Sequence, residues 1–374
     1  MRVLVVLAHP PLREGSAPGR CSVAALRGLL GEVQEVRALA ADPDGRAPVE
    51  VPGDLPVEVI DVSREIGRGD ALRTYVKPRD WLGQGAFAAR ARVLAGDVDS
   101  VLLDEADSAP LAGLAGGRTL LHMHCLASRD RPLGAPWSRG TRDTLKTRRA
   151  ERLARVRAPH LLANSLEVAD DLRAGGAREV HLVPLGLDPT DYEPQSRPDR
   201  PVAGLIGTAS WAPTAEAVRR LLAEVWPRVQ ARRPDALLRL AGRGLERSAF
   251  PEFDEVAGVE WDGEVATATG FLGELSLLLY PVTHGSGTKV KSLESMLLEV
   301  PVVTTAAGAE GIAANDGLVV CKDDEELVRA SVELLGDRSA QRQRGGAGRD
   351  HAISHHSPAV VGAALAETLE TIAR

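Results

Sequence analysis

The sequence predicts an α/β chain made of two similar halves, each a parallel sheet covered by helices on both faces. Three observations carry this. Short apolar runs alternate with helical patterns, which is the signature of a parallel sheet buried on both sides. The alternation breaks at a proline-rich stretch near mid-chain and then starts again. The length, 374 residues, corresponds to about two domains at roughly 150 residues each.

In the first half the apolar runs fall at 3–7, 57–62, 101–103, 119–121, 161–163 and 180–183. The opening run is about seven residues long and ends in His9-Pro10-Pro11, so it reads as a first buried strand and not as a secretory leader. After Val183 come Pro184, Gly186, Pro189, Pro194, Pro198 and Pro201, which places a linker at 189–201 between an amino-terminal domain, 1–188, and a carboxy-terminal one, 202–357. The second half reopens with a strand at 202–206. A helix follows, with Val218, Leu221, Leu222, Val225, Trp226 and Val229 on one face and Thr214 as the expected N-cap. Further strands are expected at 236–240, 259–261, 275–280, 301–304 and 317–320. The final segment, 358–374, carries Val360, Val361, Ala364, Leu365, Leu369 and Ile372 at helical spacing and is expected to pack back on the first half.

Composition excludes several functions. A net charge of −7 argues against a protein that coats nucleic acid, so no nucleic-acid partner is expected. Cys21, Cys125 and Cys321 are too scattered for a zinc module or a disulfide framework, which points to reducing cytoplasm. No run approaches the roughly 18 apolar residues of a membrane helix. Only five of the 45 basic residues are lysines.

Two of those lysines sit in the stretch richest in chemistry, YPVTHGSGTKVKSLE at 280–294. A strand ends at Tyr280, a loop of small residues follows at Gly285, Ser286, Gly287 and Thr288, and a helix opens near Lys289. Glycines let backbone amides approach an anion, and a helix start adds free N–H groups and the positive end of its dipole. Lys289 and Lys291 bring charge to the same place. Glu294 shares a helix face with Lys291 and is suited to accept both hydroxyls of a ribose. A plain strand–turn–helix with an exposed Lys-Glu pair fits the spacing equally well.

In the first half, His122 and His124 close a strand on one face, as substrate contacts or as a satisfied structural pair; no third metal ligand stands at suitable spacing, so no metal is expected. Asp104-Glu105-Ala106-Asp107 mimics the DEAD box of RNA-dependent ATPases. The only phosphate-loop candidate lies roughly 180 residues downstream and in the wrong order. Residues 129–157 hold ten basic residues against three acids, a solvated helix face or a dock for anionic membrane. Tyr75, Lys77, Trp81 and Phe87 read as a local core or as a sugar-stacking surface. His355-His356 reads as exposed turn residues.

From about Arg148 onward the chain resembles the family 4 (group 1) glycosyltransferases of the GT-B fold. The likeness is to the bacterial group in which Gly-Gly-Gly-Thr-Arg-Leu-Lys-x-x-Glu-Ala-Met precedes a buried strand. Here 285–312 reads GSGTKVKSLESMLLEVPVVTTAAGAEGI, supported by GTASWAPTAEAV from Gly207, by LAGRG ending at Gly244, and by ANSLEVADDL and VPLGLD at 163–188. The resemblance implies two Rossmann-like domains whose sheets face a central cleft, and a retaining, cytoplasmic transferase that uses a nucleoside-diphosphate sugar, needs no metal for catalysis and has no further cofactor. Glu294 matches the second glutamate of the family's E-x7-E motif, which holds the ribose, and the amides around Thr288 and Lys289 match those holding the diphosphate. The base is expected near Gly263-Glu264-Val265, and His124 falls where many members place a histidine beside the transferred sugar.

The acceptor side would include the turn at Gly15 to Arg20, with Trp81 and His122. Two departures stand out. Ser286 replaces the first glutamate, and the Arg and Lys that usually follow the first donor-domain strand are missing, which leaves Lys289, Lys291 and Arg243 to supply that charge. A GT-B sugar-nucleotide epimerase or an inactive binding homologue is the alternative, and an RNA-dependent ATPase built on the tetrad at 104–107 is the remote one.

Overall fold

The computed structural model describes residues 1–14, 16–45, 51–63, 81–131, 133–135 and 137–374. Gly15, Tyr75 and Lys77 therefore lie outside the described residues. The chain divides into two units, Met1–Asp188 with His356–Arg374, and Pro189–His355.

Among the described residues of the first unit, seven parallel strands run in the order β3-β2-β1-β4-β5-β6-β7. They are β1 (Arg2–Leu7), β2 (Glu35–Asp42), β3 (Val57–Asp61), β4 (Ser100–Asp104), β5 (Thr119–Met123), β6 (His160–Ala163) and β7 (Glu179–Leu182). Side chains alternate across the strands, so one face gathers Leu4, Val6, Leu39, Val101, Leu103 and Leu121. The other gathers Val3, Val5, Leu7, Ala38, Leu102 and Leu120. Helix Ala17–Glu32 covers this second face with Leu26 and Leu29. Helix Pro358–Ala373 joins it there with Val361, Leu365 and Leu369. The two helices meet backbone to backbone, since a Cβ on Gly28 would lie 2.1 Å from Pro358 O.

In the second unit β8 (Val202–Ile206), β9 (Leu237–Ala241), β10 (Val259–Gly263), β11 (Leu277–Tyr280), β12 (Val302–Thr305) and β13 (Leu318–Cys321) form a parallel sheet in the order β10-β9-β8-β11-β12-β13. The expected helix after β8 forms with two differences. Its N-cap is Trp211, and Thr214 lies inside it, fully buried. A wider π turn, Leu221–Val225, separates Ala212–Arg220 from Trp226–Arg232. The turn adjoins Pro227, which has no N–H to continue an α-helical ladder.

Two elements depart from expectation. Strand β2 is alanine-rich, with Arg37 interrupting its apolar run, yet it pairs with both β1 and β3. Residues 338–356, which carry no apolar stripe, form a 19-residue helix. His355 and His356 are consequently helical. His356 is not an exposed turn residue: it is 4% exposed, and its Nδ1 donates to Leu185 O at 2.7 Å. Phe87 is fully buried in the first core, which excludes it from stacking on a sugar. Trp81 opens a short turn, Trp81–Gly83.

Candidate functional site

Each sheet has a point where consecutive connections turn in opposite directions, and there the loops leaving two neighbouring strands separate to make a crevice at their carboxyl ends. In the second unit this point lies between β8 and β11. The loops that meet there are those the sequence singles out: Gly207 follows β8, and residues 285–288 follow β11.

The loop after β11 is held from beneath. Gly287, at φ +75°, adopts a backbone that disfavours any side chain, and its N–H donates to Glu310 Oε1 at 2.7 Å. Lys289 turns inward. Its Nζ donates to Gly287 O at 2.6 Å and lies 3.5 Å from Glu310 Oε2, with both side chains 3% exposed. Ser286 and Thr288 are buried in the same loop.

Lys291 takes another direction. Its Nζ stands 5.0 Å from the Tyr280 ring centroid and 5.4 Å from that of Trp211. It also lies 3.1 Å from where a Cβ on Gly207 would be, and the Thr214 hydroxyl is 2.8 Å from the same point. The hydroxyl is buried without a hydrogen-bond partner among the described residues. Gly242 packs against this turn so closely that a Cβ there would meet Gly207 O at 1.8 Å. Glycine is needed at 207 because a Cβ there would crowd both the Thr214 side chain and the Lys291 ammonium.

One turn further along helix Val290–Leu297, Glu294 is 2% exposed and accepts a hydrogen bond from Tyr192 Oη at 3.1 Å. Sequence reasoning missed Tyr192, because the partner lies 102 residues away across the unit. Arg243 is exposed, 3.6 Å from Glu264. Val265 follows β10, half-buried.

In the first unit the corresponding point lies between β1 and β4. Asp104 ends β4 and pairs in register with His122 on β5, which brings both histidines to its carboxylate. His124 Nε2 is 2.6 Å from Asp104 Oδ1, and His122 Nδ1 is 3.4 Å from the same oxygen. The Ser22 hydroxyl has two acceptors for its one proton, Pro18 O at 3.0 Å and Asp104 Oδ2 at 3.1 Å. Burial opposes ionisation of Asp104, but the two imidazoles, His124 foremost, hold its carboxyl well below the usual range. Burial also opposes protonation of His124, yet the adjoining carboxylate outweighs it and raises that imidazole. Burial and the charge on His124 push His122 down to about 4.

Glu105, raised by burial and by Asp104, lies 3.6 Å from His9 and has φ +64° and ψ +156°. Backbone in that region is almost confined to glycine, and such strain gathers at functional sites. The tetrad that mimics a DEAD box is thus divided: Asp104 engages the histidines, while residues 106–107 open a short helical turn. Arg20 lies half-buried on the first turn of helix Ala17–Glu32, whose N-cap is Ser16.

The basic segment forms helix Arg139–Arg157. Glu151 is buried and accepts from Ser128 N, and Arg148 donates to Ser128 O and Arg131 O, so this side faces inward. Leu145, Arg149, Arg152 and Val156 form an exposed stripe at helical spacing, and Trp137, just ahead of the helix, is 80% exposed. No helix among the described residues is long and apolar enough to cross a membrane.

Residues 200–337 match the family described as Glycosyl transferases group 1. A curated relative, the GDP-mannose-dependent monoacylated alpha-(1-6)-phosphatidylinositol monomannoside mannosyltransferase of Corynebacterium glutamicum, is 28% identical over 211 residues, covering 50% of this chain and 55% of the relative. The chain thus spans little more than half the length of that relative. Among solved structures, sucrose-phosphate synthase from Thermosynechococcus elongatus superposes with a TM-score of 0.73 at 14% identity, covering 100% of this chain and 99% of that one. Anabaena Alr3699/HepE, solved in complex with UDP and glucose, superposes with a TM-score of 0.65 at 16% identity, covering 98% and 99%. The fold is GT-B.

Proposed function

We propose that this chain, whose residues 200–337 form a group 1 glycosyl transferase domain, moves a sugar from a nucleoside diphosphate to a hydroxyl of a polysaccharide, lipid-linked or natural-product acceptor. The transfer would proceed with retention and without a metal in the reaction, as the sequence resemblance implies. The observation that carries the proposal is the second unit's crevice, where a glycine loop, the Lys291 ammonium and the buried Glu294 carboxylate lie at the sheet's switch point. Loop amides and Lys291 would hold the diphosphate, and Glu294 the ribose. The protein's part in catalysis is then electrostatic: it fixes the leaving group and stabilises the charge that develops on it. By the sequence resemblance, His124 is the candidate for a contact with the transferred sugar.

Glu294→Ala is expected to weaken binding of the nucleoside diphosphate by on the order of 2 kcal/mol, roughly thirtyfold, because a charged acceptor of two hydroxyls is lost. Calorimetry with UDP and GDP checks this, starting from the nucleotides named for the neighbours above. Unchanged affinity would remove Glu294 from the site. Release of free nucleoside diphosphate in the presence of an acceptor separates a transferase from an epimerase or a binding homologue, which would bind the donor and release none.

The exposed stripe of helix Arg139–Arg157 supports a peripheral contact with the anionic inner face of the membrane, since basic residues alternate with Leu145 and Val156 beside Trp137. Sedimentation with vesicles containing anionic lipid is expected to carry the protein down at low salt, and Arg149→Glu with Arg152→Glu to abolish this. Binding that survives the double substitution would place the contact elsewhere.

A further inference from the structure

We propose that Asp104, His122 and His124 form a binding site for a divalent transition ion of the Zn2+ class. Strand register, not sequence spacing, assembles the ligands: Asp104 and His122 are partners across β4 and β5, and His124 projects from the same end two residues later. One carboxylate oxygen and one nitrogen from each imidazole lie within 4.8 Å of one another. A tetrahedral ion with bonds of about 2 Å holds its ligand atoms roughly 3.3 Å apart. The His122–Asp104 separation of 3.4 Å already has that value, and the His124–Asp104 hydrogen bond of 2.6 Å has only to open slightly.

Two imidazoles and a single carboxylate suit Zn2+, Co2+ or Ni2+, whereas Mg2+ and Ca2+ require more oxygen ligands. An outer contact is within reach as well: the Ser22 hydroxyl, whose single proton is shared with Pro18 O at 3.0 Å, lies 3.1 Å from the second oxygen of Asp104. His122 Nε2 is buried and has no hydrogen-bond partner among the described residues. The cluster borders a cavity of about 30 Å³ that Cys21, Ser22, Leu185 and Gly186 also line, room for about one water.

An ion held there occupies the imidazole that the proposed function assigns to the transferred sugar. Zn2+ is therefore expected to inhibit transfer, a consequence that rests on that reading; the binding itself does not.

The test uses the full chain, stripped with a chelator and titrated with Zn2+ by calorimetry and with Co2+ by visible absorption. One equivalent should bind, with Co2+ bands showing imidazole ligation. His122→Gln should weaken binding more than about 100-fold, and Ser22→Ala, which leaves all three ligands, by about 10–100-fold, the usual effect of losing an outer contact. Replacing His351 and His355, stacked on helix Arg338–His356, should change nothing. The proposal is overturned if no Co2+ spectrum develops, if binding persists in both cluster variants, or if it disappears with the His351 and His355 pair. Because the readout is binding, its failure leaves the donor-site reading standing, and failure of donor binding leaves the metal site standing.

Discussion

Lys289→Met should destabilise the second unit by about 3–5 kcal/mol, because removing one partner of a buried ion pair leaves the other charge uncompensated. The charge left behind is Glu310, 3% exposed at its side chain and already accepting Gly287 N. Three tryptophans, Trp211, Trp226 and Trp261, belong to this unit, so their fluorescence during urea unfolding reports on it. The double variant Lys289→Met, Glu310→Gln should recover much of the loss, since a neutral amide can still accept from Gly287 and carries no buried charge. A single variant as stable as the parent would mean that the pair does not hold the loop. The same geometry places Lys289 beneath the loop after β11, which Glu310 also holds through the N–H groups of Gly287 and Lys289.

How far the sequence revealed this depends on whether the residues involved are local. The loop and helix at 280–294 are contiguous, so their chemistry was legible as a string of letters. Likewise the strands with continuous apolar runs, such as 3–7 and 202–206, lie where the periodicity placed them, within a residue. Strand β2 escaped notice because Arg37 interrupts its apolar run and alanines at 38, 40 and 41 fill most of its core positions; alanine carries little strand propensity and gains its place from burial between two neighbours. The helix at 338–356 was hidden by the reverse problem, since Gly345, Gly346 and Gly348 argue against a helix. At Gly345 that cost is offset by a close approach, with Glu299 O 1.8 Å from where a Cβ would lie.

The Asp104 cluster was invisible for a different reason. A pair of histidines two residues apart shows in sequence, but their carboxylate is 18 residues from the first of them. Only the register of β4 against β5 brings it within reach. Spacing alone therefore led to the expectation that no third ligand was available. The two lysines that follow β11 illustrate the same limit. They look equivalent as letters two positions apart, yet one turns under the loop and the other toward Gly207.

That difference makes Lys291 the residue whose loss should most affect turnover. Lys291→Met keeps the length of the side chain and removes its charge, and should lower kcat by about 10²–10³-fold, the range seen when one fixed donor is taken from a developing anion. Urea unfolding is measured alongside, because the ammonium's contacts with the Tyr280 and Trp211 rings are themselves cation–π interactions, each worth about 0.5–2 kcal/mol. Lys291→Arg retains charge but places a larger planar group against Gly207 and Thr214, so it should restore only part of the rate. Arg243→Ala should have little effect, since that side chain is 78% exposed beside Glu264 and any charge it offers is screened by solvent. Steady-state kinetics on these three variants, with donor affinity measured separately, distinguishes the assignments. Loss of rate with Arg243→Ala and none with Lys291→Met would move the compensating cation out of the crevice and onto the loop after β9. The missing Arg and Lys after β8 would then be replaced from the neighbouring strand, and the lysine that fills the space at Gly207 would have only a packing role.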